Sequence, residues 1–168
     1  MSKSLIISLL AFSLQVNAQS SRQLQQTFDS TVKLIKGNLL LPGKNCSIIM
    51  GYGRQETGPC VIQNPGITFK FENKCNIQAA WAGIVCRTVV IDSMNVVIID
   101  CGGIFIAYSN IDKLIVKKGQ HIKKGDFIGI VGKNFDDDDY VADVLISNFK
   151  GGLDPTEWFD WSKTKPGR

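Results

Sequence analysis

The sequence predicts an all-β fold preceded by one short helix. Beyond Gly37, short β-branched runs recur, each cut off by Gly, Pro, Asn or Asp. Before it, Leu24, Phe28, Val32 and Ile35 repeat at three- and four-residue spacing, which predicts an amphipathic helix over Ser20–Lys36. Later in the chain, Gly119 and Gly125 punctuate a turn-rich stretch in which Val116, Ile122 and Ile128 return every six residues.

Taken in order, the chain opens with Lys3, the apolar run Leu5–Leu14, and Val16-Asn17-Ala18 before Gln19. That is the layout of a cleavable signal peptide over residues 1–18. It predicts secretion across the inner membrane, to the periplasm or cell envelope. The run is too short to cross a bilayer comfortably, and no later run approaches the roughly 18 apolar residues of a span, so the chain is not expected to be membrane-spanning. Residues 19–36 form the helical lead-in. Strands are expected at Cys46–Met50, Ile67–Phe71, Gly83–Ile91, Asn95–Asp100, Ile104–Tyr108 and Asp143–Ser147, within one β domain over residues 37–161. The Lys-, Thr-, Pro- and Gly-containing residues 162–168 are expected to be a flexible tail.

The formal charge of +4 falls to +3 once Lys3 is removed, and both signs are interspersed. This gives no case for nucleic acid as a partner. Asp136–Asp139 reads as a solvated loop. Cys46, Cys60, Cys75, Cys86 and Cys101 include no Cys-x-x-Cys spacing, so zinc-ribbon and thioredoxin-like chemistry find no support. Two readings of these cysteines stand side by side: at most two disulfides, which export would let persist, or reduced thiols acting as small core hydrophobes. A hairpin around Ser93-Met94 that pairs Ile91 with Val96 would set Cys86 opposite Cys101 and allow a bridge.

The stretch Val116-Lys-Lys-Gly119-Gln-His-Ile122-Lys-Lys-Gly125-Asp-Phe-Ile128 resembles a segment shared by biotinyl or lipoyl carrier domains, glucose-type IIA phosphocarriers and LytM-type endopeptidases. A carrier domain needs a lysine at a hairpin tip, where this chain has Asp92-Ser-Met-Asn95. A phosphocarrier needs an active-site histidine, and His121 sits inside the turn stretch among lysines.

An ordered series extends the LytM resemblance over nearly the whole β region. It includes Gly51-Tyr-Gly53, Asn64-Pro-Gly66-Ile67, Ala80-Trp-Ala-Gly83, Val97-Ile-Ile-Asp100-Cys-Gly102, Ala107-Tyr108-Ser-Asn110 and Leu153-Asp154-Pro155. The resemblance implies a duplicated hybrid motif, akin to a barrel-sandwich hybrid. In active members of that family a His-x-x-x-Asp pair and the second histidine of a His-x-His hold zinc, while two further histidines move protons and stabilise the oxyanion. Here the first pair falls on Asn64 and Thr68, the His-x-His on Val141 and Asp143, and the histidine of a Tyr-x-His step on Asn110. A chain with one histidine in total cannot supply that set. The expectation is no catalytic residue, no metal and no cofactor.

Asn64-x-Gly-Ile and Tyr108-Ser-Asn110 are similar to the non-catalytic branch, the murein hydrolase activators of the EnvC type, although the short Ser20–Lys36 segment is expected in place of their long coiled coil. That similarity implies a groove lined by Asn64, Thr68, Tyr108, Asn110, Val141 and Asp143 that binds and regulates an amidase-like peptidoglycan hydrolase. Two other roles stay open: a scaffolding part in an envelope assembly with another envelope protein, and binding of peptidoglycan without cleavage.

Overall fold

The computed structural model describes residues 22–134 and 138–163. The predicted signal peptide lies outside the described residues, as do Asp136, Asp137 and all but the first two residues of the predicted tail. The chain divides into two compact units, one ending at Leu34 and the other beginning at Ile35.

Helix α1 covers residues 22–35. Thr27, Ser30 and Thr31 turn their hydroxyls back onto carbonyls four residues earlier, at 2.8–3.0 Å. The predicted apolar stripe is graded: Leu24 is 73% exposed, whereas Ile35 is fully buried. Among the described residues no helix is long and apolar enough to cross a membrane.

The second unit is built from strands: β1 Cys46–Met50, β2 Gly53–Thr57, β3 Cys60–Asn64, β4 Ile67–Phe71, β5 Asn76–Gln78, β6 Gly83–Ile91, β7 Met94–Asp100, β8 Ile104–Leu114, β9 His121–Ile122, β10 Phe127–Lys133, β11 Tyr140–Asn148 and β12 Gly151–Leu153. A ten-stranded sheet runs in the order β1-β4-β11-β10-β8-β7-β6-β9, with β12 added to β11 and β5 to β10. The hairpin β2–β3 forms a separate two-stranded sheet. The all-β fold follows from period-two burial. Ile67, Phe69 and Phe71 alternate with Thr68 and Lys70, and Ala142, Val144 and Ile146 alternate with Asp143 and Leu145.

The six-residue repeat is a pair of matching turns. In each, the third residue is a glycine with positive φ, +85° at Gly119 and +88° at Gly125. Each turn is closed twice: the Gln120 and Asp126 backbones donate back to Lys117 and Lys123, and their side chains accept from the same two residues. Val116, Ile122 and Ile128 enter the core between the turns. Ahead of β1, Leu39 pairs with Phe159, and Phe159 meets Phe69 edge-on at 5.6 Å.

The hairpin of β6 and β7 corrects the predicted register. Its turn has two residues, Asp92 and Ser93, both with positive φ, so Ile91 pairs with Met94 rather than Val96. A bulge between Val85 and Arg87 then isolates Cys86, whose thiol faces the Ile98 carbonyl at 3.3 Å. Ile84 pairs with Asp100, the last residue of β7, so Cys101 lies past the end of the β6–β7 ladder and does not oppose Cys86. The register on which the bridge was expected is therefore absent. All five thiols are free, and burial pushes Cys46 up to about 11 and Cys101 up to about 12. Peptide mapping under non-reducing conditions should find no Cys86–Cys101 bridge; recovering that bridge would refute the bulged register.

A close backbone approach requires glycine at position 83. A Cβ there would stand 2.3 Å from the Asp100 carbonyl oxygen, a backbone atom that cannot step aside. Gly83→Ala should cost about 1–3 kcal/mol in urea unfolding, the usual scale for overpacking. A loss below about 0.5 kcal/mol would show that β6 can shift.

Candidate functional site

Strands β4, β11 and β8 place the predicted residues. Thr68 on β4 pairs directly with Asp143 on β11, and Val144 pairs with Tyr108 on β8. Because side chains alternate, Asp143 points to the face opposite Val144, where its strand neighbours are Thr68 and Ser109. The Thr68 hydroxyl donates to Asp143 Oδ1 at 2.7 Å, and the Ser109 hydroxyl donates to Oδ2 at 2.8 Å. This half-buried cluster is the polar centre of the open sheet face.

The other predicted residues take structural roles. Asn64 is buried at the end of β3, where its amide donates to the Gly51 carbonyl at 3.0 Å and accepts from the Gly66 N–H at 3.2 Å. Asn110 sits where β8 changes partner from β11 to β10. Its φ of +55°, tolerable for asparagine, breaks the ladder, and its side chain repairs the gap by donating to the Val141 carbonyl at 2.8 Å. Val141 is only 8% exposed.

Tyr108 does not line a groove. It is fully buried in the core, and its hydroxyl accepts the Ala80 N–H at 2.7 Å. The structure thus brings Thr68 and Asp143 together as one centre and joins Asn110 to Val141, while Asn64 and Tyr108 brace the surrounding backbone. Ser109 was missed in the sequence. Strand parity was the available signal, since a buried Tyr108 turns Ser109 to the open face.

A cavity of about 320 Å³ between the β6–β7 turn, β8 and β10 meets the predicted set only at Asn110. Its lysines are committed: Lys74 to Asp112 and Lys133 to Asp138, each at 2.6 Å. The hydrogen bond to Asp112 raises the Lys74 pKa. Of the acidic block, Asp138 and Asp139 are described, and Asp139 pairs with Lys70 at 2.5 Å.

The donor set does not fit zinc. Asp143 is the one anion among the positions matched to ligands, and both its oxygens accept hydroxyl protons. Asn64 uses both ends of its amide on the backbone. His121 lies exposed on β9, separated from β11 by β8, β7 and β6. Among the described residues no group of three His, Cys, Asp or Glu side chains converges.

Comparison with known proteins bears on the fold. Residues 63–142 match the model of peptidase family M23, a span that ends one residue before Asp143. No curated protein sequence matches significantly. Among solved structures, the SpoIIQ–SpoIIIAH pore-forming complex contains a chain that is 16% identical, aligned over 79% of this chain and 99% of that one with a TM-score of 0.64. Helicobacter pylori Csd3 is 20% identical over 77% of this chain and 37% of its own, with a TM-score of 0.62. The catalytic domain of lysostaphin from Staphylococcus simulans is 19% identical over 67% of this chain and 90% of its own, with a TM-score of 0.56. At these identities the structural likeness establishes the fold. The β unit has an M23-like fold, and the positions matched above to that family's histidines are Asn64, Asn110, Val141 and Asp143.

Tyr108 supplies a test of how the site is braced. Burial raises its pKa beyond the ordinary tyrosine range, outweighing the Ala80 bond that favours the phenolate. Folding therefore favours the neutral phenol. That stability is complete below about pH 10, the unfolded value, and is lost as pH rises above it. Tyr108→Phe should lower stability by about 1–3 kcal/mol, because a buried N–H loses its partner. The variant should also melt with a shallower pH slope above pH 10, and an unchanged slope would exclude Tyr108 as the titrating group.

Proposed function

We propose that this chain is a non-catalytic LytM-like protein of the cell envelope that binds a peptidoglycan hydrolase of the amidase type and regulates it through the open face of β4, β11 and β8. The carrying observation is the Thr68–Asp143–Ser109 cluster. Thr68 and Asp143, two of the three positions matched to metal ligands, are joined by a direct hydrogen bond, and Ser109 adds a second, which leaves a polar strip suited to recognition rather than to activating water. The predicted signal peptide supports placing the protein in the periplasm or cell envelope.

A second reading has its own support. The neighbour named in a pore-forming complex with SpoIIIAH has a fold like this one, which favours a scaffolding role in an envelope assembly. Binding of peptidoglycan without cleavage is the third reading.

The test is affinity capture from envelope extract with the mature protein as bait, repeated with Ala107→Trp. Ala107 is half-buried on the open face, opposite Leu145, so a tryptophan there fills the strip without entering the core. The expected result is an amidase-like hydrolase retained by the parent and lost from the folded variant, with altered hydrolysis of sacculi when bait and hydrolase are mixed. Purified protein alone should hold no stoichiometric zinc and cleave no peptidoglycan. Cleavage by the chain itself, or a partner unaffected by Ala107→Trp, would overturn the reading.

A further inference from the structure

Among the described residues, Asp143 is the open-face carboxylate that carries no compensating cation: no lysine or arginine pairs with it. Lys70, whose strand partner is Val141 on the same face, is taken by Asp139. Thr68 and Ser109 fix both carboxylate oxygens in place, yet each oxygen can accept again. The charge is therefore oriented, half-exposed and unpaired.

Farther along the same face lies an aromatic pair. Ser147 pairs with Phe105, four residues and about 13 Å beyond Asp143. Phe149 stands edge-on to Phe105 with ring centroids 5.1 Å apart, and is 81% exposed. The Asn148 side chain accepts from the Lys150 and Gly151 N–H groups, which sets the turn that displays Phe149. Between the two ends, Leu145 lies against Gly66 and forms an apolar floor.

Resting on the groove reading above, we propose that this face binds an extended protein segment carrying a lysine or arginine and, four residues away, a large apolar side chain. The cation meets Asp143 and the apolar group packs on Phe105 and Phe149. Extended backbone fits because residues four apart lie on one side and span about 13 Å. Charge complementarity chooses the cation, since a neutral or acidic group there would leave Asp143 uncompensated or repelled.

The probe is the capped peptide acetyl-Lys-Thr-Ser-Thr-Leu-amide, titrated into the mature protein and followed by backbone amide NMR. Shifts should appear at Thr68, Ser109, Asp143 and Phe105. Replacing lysine with norleucine should weaken binding about tenfold, as should Asp143→Asn in a variant shown by thermal melting to be folded. The norleucine comparison uses the parent protein, so it stands even if the variant does not fold. Equal binding of both peptides, or no shifts at millimolar peptide, would overturn the proposal. So would a soluble muropeptide with a free ammonium that binds more tightly than the lysine peptide, or a dimer of this chain abolished by Asp143→Asn. If Ala107→Trp still releases the captured hydrolase while the two peptides bind alike, the groove reading survives and the charge rule alone fails. If Ala107→Trp leaves the hydrolase bound, the groove reading fails as well.

Discussion

Backbone hydrogen bonds tie β11 to β4 from Tyr140 to Val144 and to β8 from Val144 to Asn148, so the two ladders meet at Val144. Val144 is fully buried between Ile67 and Tyr108, its partners on either side. Once that residue faces the core, period-two geometry sends Asp143 and Leu145 outward together with Thr68 and Ser109. A one-residue slip would bury Asp143 and expose Val144. The hydrophobic demand of the core thus fixes which polar groups the open face can display.

The hydroxyl-carboxylate cluster changes what holds this face together. In a metal centre, ligands on neighbouring strands are drawn to one cation, which offsets the cost of gathering charge. Here Thr68 and Ser109 reach Asp143 directly, each bond charge-assisted and short. The described part of the protein leaves no buried side-chain nitrogen or oxygen without a partner. The surroundings of Asn64 and Asn110 are closed in the same way, by amides that cross from one segment of backbone to another.

The strands with alternating β-branched residues were legible in the sequence, and β1, β4 and β6 begin and end where those runs do. The hairpin β2–β3 was not, because Gly53-Arg-Gln-Glu-Thr57 shows no apolar alternation and owes its shape to pairing with β3. The β6–β7 register was misread because its two-residue turn is Asp-Ser rather than the Asn-Gly or Asp-Gly that usually marks one. At the site, Thr68 and Asp143 emerged from motif order. Tyr108 and Ser109 were exchanged, since a motif shows which residues are near while parity decides which way each faces.

Both strands that end the main sheet path are short. β9 has two residues, and β1 has five with a break in register between Ile48 and Met50. A bulged or truncated rim gives an incoming strand few backbone groups in step with its own. Association by simple extension of the ladder, which accepts nearly any sequence, therefore has little purchase at the two ends of the main sheet path. Discrimination between binding sequences then rests on side chains rather than on peptide groups, and one substitution in a binding segment can separate a true ligand from a bystander.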